Sequence, residues 1–240
     1  MNPTAAIIII GNEILSGRTL DINTQEIALT LVEQGVDLIE TRTIPDNREM
    51  IVATIQELSP KYDYIFTTGG IGPTHDDITA SCVAEAFNLD YVLSKETYEI
   101  LKEHYEGLGE EMNSSREKMA CMPETSILLY NKGIKVPGFV TNNLFCMAGI
   151  PSVMKAMLQA SLPMLKKGAV IQSKSIEINI GESKIADRFE ELQLKYKNVD
   201  MGSYPFTKAG VHGTTLVLRS RDDKALDSAF SELKKVCETA

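Results

Sequence analysis

Long apolar runs are missing from this chain of 240 residues: the opening stretch Met1–Ile10 is far too short to cross a bilayer and lacks a basic start, and nothing later is longer. A spanning helix and a leader peptide are not expected, and the chain reads as soluble, unexported and cytoplasmic. Positive charge is scarce as well. Twenty-four Lys and Arg face 33 Asp and Glu, a formal net charge of −9, which argues against nonspecific grip on nucleic acid or an anionic membrane, since clustered basic side chains supply both. Cysteine is limited to Cys82, Cys121, Cys146 and Cys237, widely spaced and without a CxxC pair. That excludes a dense disulfide framework and fits reduced cytoplasmic thiols. No Gly-x-x-x-x-Gly-Lys-Ser/Thr string occurs, so a P-loop nucleotidase is not expected. Gly210-Val211-His212-Gly213 spells GxxG but lacks a basic surround, and it reads as a turn rather than an RNA-binding module. Repeats and low-complexity tracts are absent.

What remains is an alternating pattern in a chain long enough to bury a full core. Ala6–Ile10, Val36–Thr43 and Tyr64–Thr68 read as buried strands. Asn23–Gln34 (closed by Gly35), Asn47–Leu58 and Asp77–Phe87 read as the helices between and after them. Repeated β-α units imply an α/β fold with a doubly wound, mainly parallel sheet, whose ligands gather at the carboxyl ends of the strands. Ser94–Gly107 then reads as a polar helix, with a short helix after Asn113. Ser126–Tyr130, Phe139–Thr141 and Leu144–Met147 read as strands and Pro151–Leu165 as a helix with proline in its first turn. Residues 1–170 form the expected α/β domain. Residues 171–240, with the pattern strand, helix, strand, strand, helix, form a small C-terminal α+β domain.

The most informative segment is Thr67–Ser81, TTGGIGPTHDDITAS. Gly69, Gly70 and Gly72 end a buried strand in a turn whose backbone N–H groups can approach a ligand closely. Pro73–Asp77 lead into the next helix, where unpaired N–H groups and the dipole favour anions. Asp76 and Asp77 add negative charge at the place a phosphate would take. A divalent cation between them reconciles the two, because magnesium uses one or two carboxylates together with phosphate oxygens. The simpler reading is that glycines turn the chain and an aspartate caps the helix.

Other candidates carry similar alternatives. Asp46 and Glu49 have capping-box spacing. Asp21 or Asn23 is a natural N-cap for the first helix. Glu13, in a loop opened by Gly11, is a metal ligand, a base or a partner of its own loop. His75 beside the carboxylates could contact phosphate as imidazolium or simply face solvent. Thr74 and Thr79 have hydroxyls for capping, metal or phosphate. Ser115, Arg116 and Lys118 bring hydroxyl and positive charge, with a fork in Arg116 suited to phosphate, or else form a solvated helix face.

TTGGIGPTHDDIT resembles, almost letter for letter, the signature of the molybdenum-cofactor-biosynthesis (molybdopterin-binding) domain in its competence/damage-inducible protein A N-terminal version. Gly11–Asn23 (GNEILSGRTLDIN) and Ile44–Asn47 resemble that family's first two βα loops. Asn113–Pro123 (NSSREKMACMP) and Asn131–Phe139 (NKGIKVPGF) resemble its later site loops, and Asp200–Pro205 its second-domain segment. Two departures stand out. Ala148 and Val153 replace the proline and glutamate of an expected Leu-Pro-Gly-x-Pro-x-Glu-Met pattern, and the sequence stops where longer relatives continue into a deamidase domain, so no deamidase activity is expected of these residues.

The resemblance implies catalytic carboxylates at Asp46 and Asp77, a metal at Asp76 and Asp77, and substrate contacts from Gly11, Glu13, Asn23, Gly69, Gly70, Gly72, Thr74, His75, Thr79, Ser115 and Arg116. It implies a divalent metal (Mg, Mn or Co) with no redox cofactor, a nucleotide or pterin phosphate as partner, and a homo-oligomer. The activity implied first is a metal-dependent nucleotide pyrophosphatase acting on an ADP-ribose- or FAD-like substrate. Alternatives are molybdopterin binding or adenylylation, and a non-catalytic binding module.

Overall fold

The computed structural model describes residues 2–130, 135–208 and 210–238. The chain divides into two compact units, Met1–Gly168 and Ala169–Ala240. In chain order the first unit contains β1 (Thr4–Ile10), α1 (Asn12–Leu15), α2 (Asn23–Gln34), β2 (Asp37–Ile44), α3 (Arg48–Leu58), β3 (Tyr64–Thr68) and α4 (Thr79–Ala86). It continues with β4 (Tyr91–Leu93), α5 (Lys95–Gly107), α6 (Ser114–Lys118), β5 (Cys121–Pro123), β6 (Ile127–Leu129), β7 (Gly138–Thr141), β8 (Leu144–Met147) and α7 (Pro151–Ser161).

One six-stranded sheet runs β2-β1-β3-β8-β7-β6. The first four strands are parallel, while β7 and β6 are antiparallel additions. The unbroken apolar run of β1 follows from its central place, with both faces covered. Ala5, Ile7 and Ile9 pack with Ile27 and Leu31 of α2 and Met154 and Leu158 of α7. Ala6, Ile8 and Ile10 pack on the other face with Ile51 and Ile55 of α3 and Cys82 and Val83 of α4. Phe66 of β3 stacks on Phe145 of β8 with ring centroids 4.9 Å apart. All four parallel strands therefore deliver their following loops to a single edge.

The second unit contains β9 (Gln172–Ile178), α8 (Glu182–Lys195), β10 (Asp200–Lys208), β11 (Val211–Ser220) and α9 (Asp223–Glu238). Its sheet is antiparallel, in the order β10-β11-β9. Ile185, Phe189 and Leu192 of α8 and Leu226, Ala229 and Leu233 of α9 cover Leu216 and Leu218.

Several local expectations are corrected. The fourth helix begins at Thr79 rather than Asp77, because the carboxylates of Asp76 and Asp77 turn back onto Thr74. The first loop contains the short helix α1. The β4–β5 pair, a separate two-stranded ribbon, was not anticipated. The last helix of this unit ends at Ser161 and passes into a 3₁₀ turn over Leu162–Met164, where Pro163 has no N–H to continue the α pattern. Val211, His212 and Gly213 belong to β11, so the GxxG string lies mostly in a strand, with Gly210 at a φ of 81° before it. Residues Asn131–Ile134 of the expected NKGIKVPGF loop lie outside the described residues.

Candidate functional site

The loop after β3 is built around two positive-φ glycines. Gly69 (φ 101°) and Gly70 (φ 69°) leave no room for a side chain: a β-carbon at Gly69 would lie 2.1 Å from the Ile10 carbonyl oxygen, and one at Gly70 would lie 2.1 Å from Thr79 Oγ1. Thr79 is fully buried, and its hydroxyl donates to the Gly69 carbonyl at 3.0 Å. Its N–H donates to the Gly70 carbonyl at 2.9 Å. Thr79 thus braces the turn from beneath and is not among the residues that line the cleft, a correction to its expected ligand contact. The amides of Gly70, Ile71 and Gly72 have no acceptor among the described residues. Three acceptor-free N–H groups in succession are donors available to an anion.

Beyond the glycines, Thr74 organises the acidic pair. Its N–H donates to Asp77 Oδ2 at 2.8 Å, and its Oγ1 lies 2.5 Å from both Asp76 Oδ1 and Asp77 Oδ2. A hydroxyl has one proton, so it satisfies only one of those two oxygens at a time. The Thr74 bond is the largest cause holding the Asp76 carboxyl below the usual range, followed by a backbone N–H, with charge from His75 and Lys118 assisting. Lys118 Nζ donates to the Thr74 carbonyl at 2.5 Å.

Asp46 is not the cap of α3. That role falls to Asn47, whose Oδ1 accepts from the Met50 N–H at 3.0 Å. Asp46 Oδ2 instead accepts from the Asn12 N–H at 2.9 Å, tying the second loop to the first. Gly11 donates its N–H to the Ile44 carbonyl at 3.1 Å, and the Glu13 carboxylate folds over it. Asp21 Oδ1 caps α2, accepting from the N–H groups of Asn23 (3.0 Å) and Thr24 (3.2 Å). Asn23 reaches the loop after β8, with its Nδ2 donating to the Gly149 carbonyl at 2.8 Å.

These loops enclose a cleft of about 630 Å³ whose acidic side is formed by Glu13, Asp46, Asp76 and Asp77. Gly69, Gly70 and Gly72 also line it. Its apolar lining includes Tyr105, Met119, Val136, Ala148, Ile150 and Val153. The departures at Ala148 and Val153 are therefore cleft residues. A larger open groove of about 780 Å³ in the second unit, beside Lys197, Arg219 and Arg221, contains none of the candidate residues. Shape alone does not locate chemistry, and the acidic cleft at the strand ends is the better site.

Besides Thr79, five expected contacts do not line the cleft: Gly11, Asn23, His75, Ser115 and Arg116. The His75 side chain is 97% exposed, with Nδ1 4.0 Å from Asp76 Oδ1, and it is not part of the lining. Ser115 is exposed. Arg116 is committed elsewhere: its guanidinium lies 3.9 Å from the centre of the Tyr105 ring and donates to Glu110 and to the Glu111 carbonyl. Tyr105 is a lining residue that sequence reasoning missed, and Thr19, Met119 and Val136 fall in segments that resemble the family's site loops without being singled out there. They stand in ordinary helical or loop patterns without a local chemical cue.

The donor set fits a hard divalent cation only in part-protein form. Among the described residues no group of three or more His, Cys, Asp or Glu side chains could hold a metal. Asp76, Asp77 and the Thr74 hydroxyl could supply two or three oxygens, with phosphate oxygens and water completing the shell in the manner of magnesium.

Comparison with known proteins identifies the family. Residues 6–167 match the family described as "Probable molybdopterin binding domain", and residues 170–240 match "FAD synthase, middle domain". The chain belongs to the molybdopterin-binding-domain family. Within it, the chain is of the competence/damage-inducible, CinA type. "Protein PF0476" of Pyrococcus furiosus is 36% identical over 243 residues, covering 96% of this chain and 95% of that protein. A "Putative competence-damage inducible protein" of Caldicellulosiruptor bescii is 33% identical, with 83% of this chain spanning 51% of its length. The crystal structure of "CinA with unknown function" from Thermoplasma acidophilum superposes with a TM-score of 0.62 at 27% identity, over 68% of this chain and 98% of that one. No helix among the described residues is long and apolar enough to cross a membrane.

Proposed function

We propose that the cleft is the active site of a metal-dependent nucleotide pyrophosphatase that cleaves an ADP-ribose- or FAD-like substrate to release AMP. The observation that carries this reading is the pairing, on one strand edge, of three acceptor-free amides at Gly70–Gly72 with the Thr74–Asp76–Asp77 oxygen cluster. The amides would hold phosphate oxygens without any basic side chain. Asp76 and Asp77 would hold the cation. A bound divalent cation neutralises phosphate charge and stabilises the charge that develops at the attacked phosphorus.

Asp46 has one oxygen engaged by Asn12, leaving the other to orient a water for attack. The apolar lining at Tyr105, Met119 and Val153 offers a flat aromatic ring a water-poor surface. The match of residues 170–240 to a domain of FAD synthase lends support to a nucleotide substrate.

A second reading rests on the family description itself: a pterin phosphate is bound, or is adenylylated. Both reactions displace a group at an α-phosphorus, and the nucleophile separates them. The test is to incubate the protein with ADP-ribose, FAD or ATP and magnesium, manganese or cobalt, then assay AMP. Hydrolysis is expected, falling about a hundredfold or more in Asp77→Asn. Undiminished AMP release in that variant removes Asp77 from the mechanism. Binding without turnover identifies a binding module, and AMP transfer to molybdopterin supports the second reading.

A further inference from the structure

Beside the cleft lies a crevice lined by Tyr91, Lys118, Cys121 and Phe139, and Ile71, Gly72, Asp77 and Met119 line both hollows. Lys118 is the only lysine, arginine or histidine lining either of them among the described residues. It closes α6. Met119 and Ala120, buried just after it, pack with Leu101 in a small core of their own, which fixes the root of the lysine side chain. The side chain itself is half-buried.

A lysine ammonium has three N–H donors and no acceptor. One donor goes to the Thr74 carbonyl at 2.5 Å, and no other partner of Lys118 occurs among the described residues. Asp76 and Asp77 stand in the same turn as Thr74, yet neither forms an ion pair with Lys118, because both carboxylates turn back onto Thr74. The ammonium is therefore held in place by a neutral acceptor, with its charge uncancelled by a partner and two donors left over. A solvated helix face would not pin the ammonium to the turn that contains the acidic pair.

The amides of Gly70–Gly72 account for one phosphate, and a diphosphate has a second. We infer that Lys118 holds the second phosphate of a diphosphate ligand, the one that departs when the first is attacked. Lysine serves as a point charge for phosphate, and charge-assisted bonds of this kind are about twice as strong as neutral ones. Water attacks the phosphorus held by the amides and gives its proton to Asp46. The bond from that phosphorus to the bridging oxygen breaks, its electron pair leaves with the second phosphate, and the charge that develops there faces the Lys118 ammonium. This rests on the pyrophosphatase reading above and adds a catalytic cation and a basis for preferring diphosphates to monophosphates.

Calorimetric titration of the full chain in magnesium with AMP and with α,β-methylene-ADP, whose P–C–P bridge resists cleavage, reads the second phosphate directly. The methylene analogue is expected to bind about tenfold more tightly than AMP. In Lys118→Met that preference is expected to shrink to about twofold or less while AMP affinity changes by less than about twofold, and Lys118→Arg is expected to keep most of the preference. Circular dichroism checks that each variant folds. Lys118→Gln, which can still donate to a carbonyl, carries the test if Lys118→Met does not fold. Equal weakening of both nucleotides in these variants would make the Thr74 bond the whole role of Lys118 and overturns the proposal. An unchanged preference, or equal binding of both nucleotides to the unaltered protein, overturns it too. All three results leave the nucleotide reading intact. Failure of the unaltered protein to bind either nucleotide overturns both.

Discussion

Arg42 shows how a single side chain sets the acid behaviour of its neighbourhood. Its guanidinium bonds Glu40 and, in a two-pronged contact of 2.6 and 2.8 Å, Glu57, while Tyr62 Oη donates to Glu40 at 2.8 Å. The Arg42 and Lys61 bonds pull the Glu57 carboxyl down from near 4.5 to about 2. A folded-state value below the unfolded one adds stability above pH 4.5, which is lost as pH falls toward 2. Melting temperature followed across that window is expected to drop further for the unaltered protein than for Glu57→Gln. The gap should narrow in 1 M salt, about where screening shortens to a few ångströms. Identical acid limbs would show that the bonds contribute nothing. Asp76 is depressed in the same direction by Thr74, so its contribution fades on the same acid side.

At the scale of elements, the β3–α4 connection depends on Gly70. A methyl group there meets Thr79 Oγ1 and also forces a side-chain-bearing residue to a φ of 69°. Gly70→Ala is expected to lower unfolding free energy by about 1–3 kcal/mol in urea denaturation, and to weaken nucleotide binding by displacing the free amides. A neutral substitution would mean that the turn relaxes freely. This connection was legible in the sequence because glycine, threonine and aspartate each have few conformational alternatives there. So were α2, with Gly35 in the left-handed region as its stop, and β3, whose five residues are all buried.

The β4–β5 ribbon was not legible, since Tyr91-Val92-Leu93 are all exposed and show no inward-outward alternation. The start of α4 was misplaced for a related reason: aspartates that favour helix entry found Thr74 closer. Arg116 drew attention as a phosphate ligand, yet Glu110 and the Tyr105 face are its nearer partners, and proximity in the fold outweighs residue type.

At the scale of the molecule, each unit has its own core, and all six strands of the larger sheet come from the first. The chain leaves that unit through defined bonds: the Lys166 N–H donates to Tyr64 Oη at 2.9 Å and the Gly168 N–H to the Gln34 carbonyl at 3.0 Å. Residues 1–168 alone are expected to melt in one cooperative transition and to retain AMP binding in magnesium. A broad, non-cooperative melt would show that the smaller unit is needed for folding.

One rim of the larger sheet is β2, which has no strand beyond it among the described residues. The Glu40–Arg42–Glu57 cluster stands along that rim. A second chain arriving as a seventh strand would have to strip water from those charges and set its own residues against them. The rim is thereby guarded against templated strand addition. Copies crowded together should meet through side-chain surfaces rather than zip edge to edge into fibres.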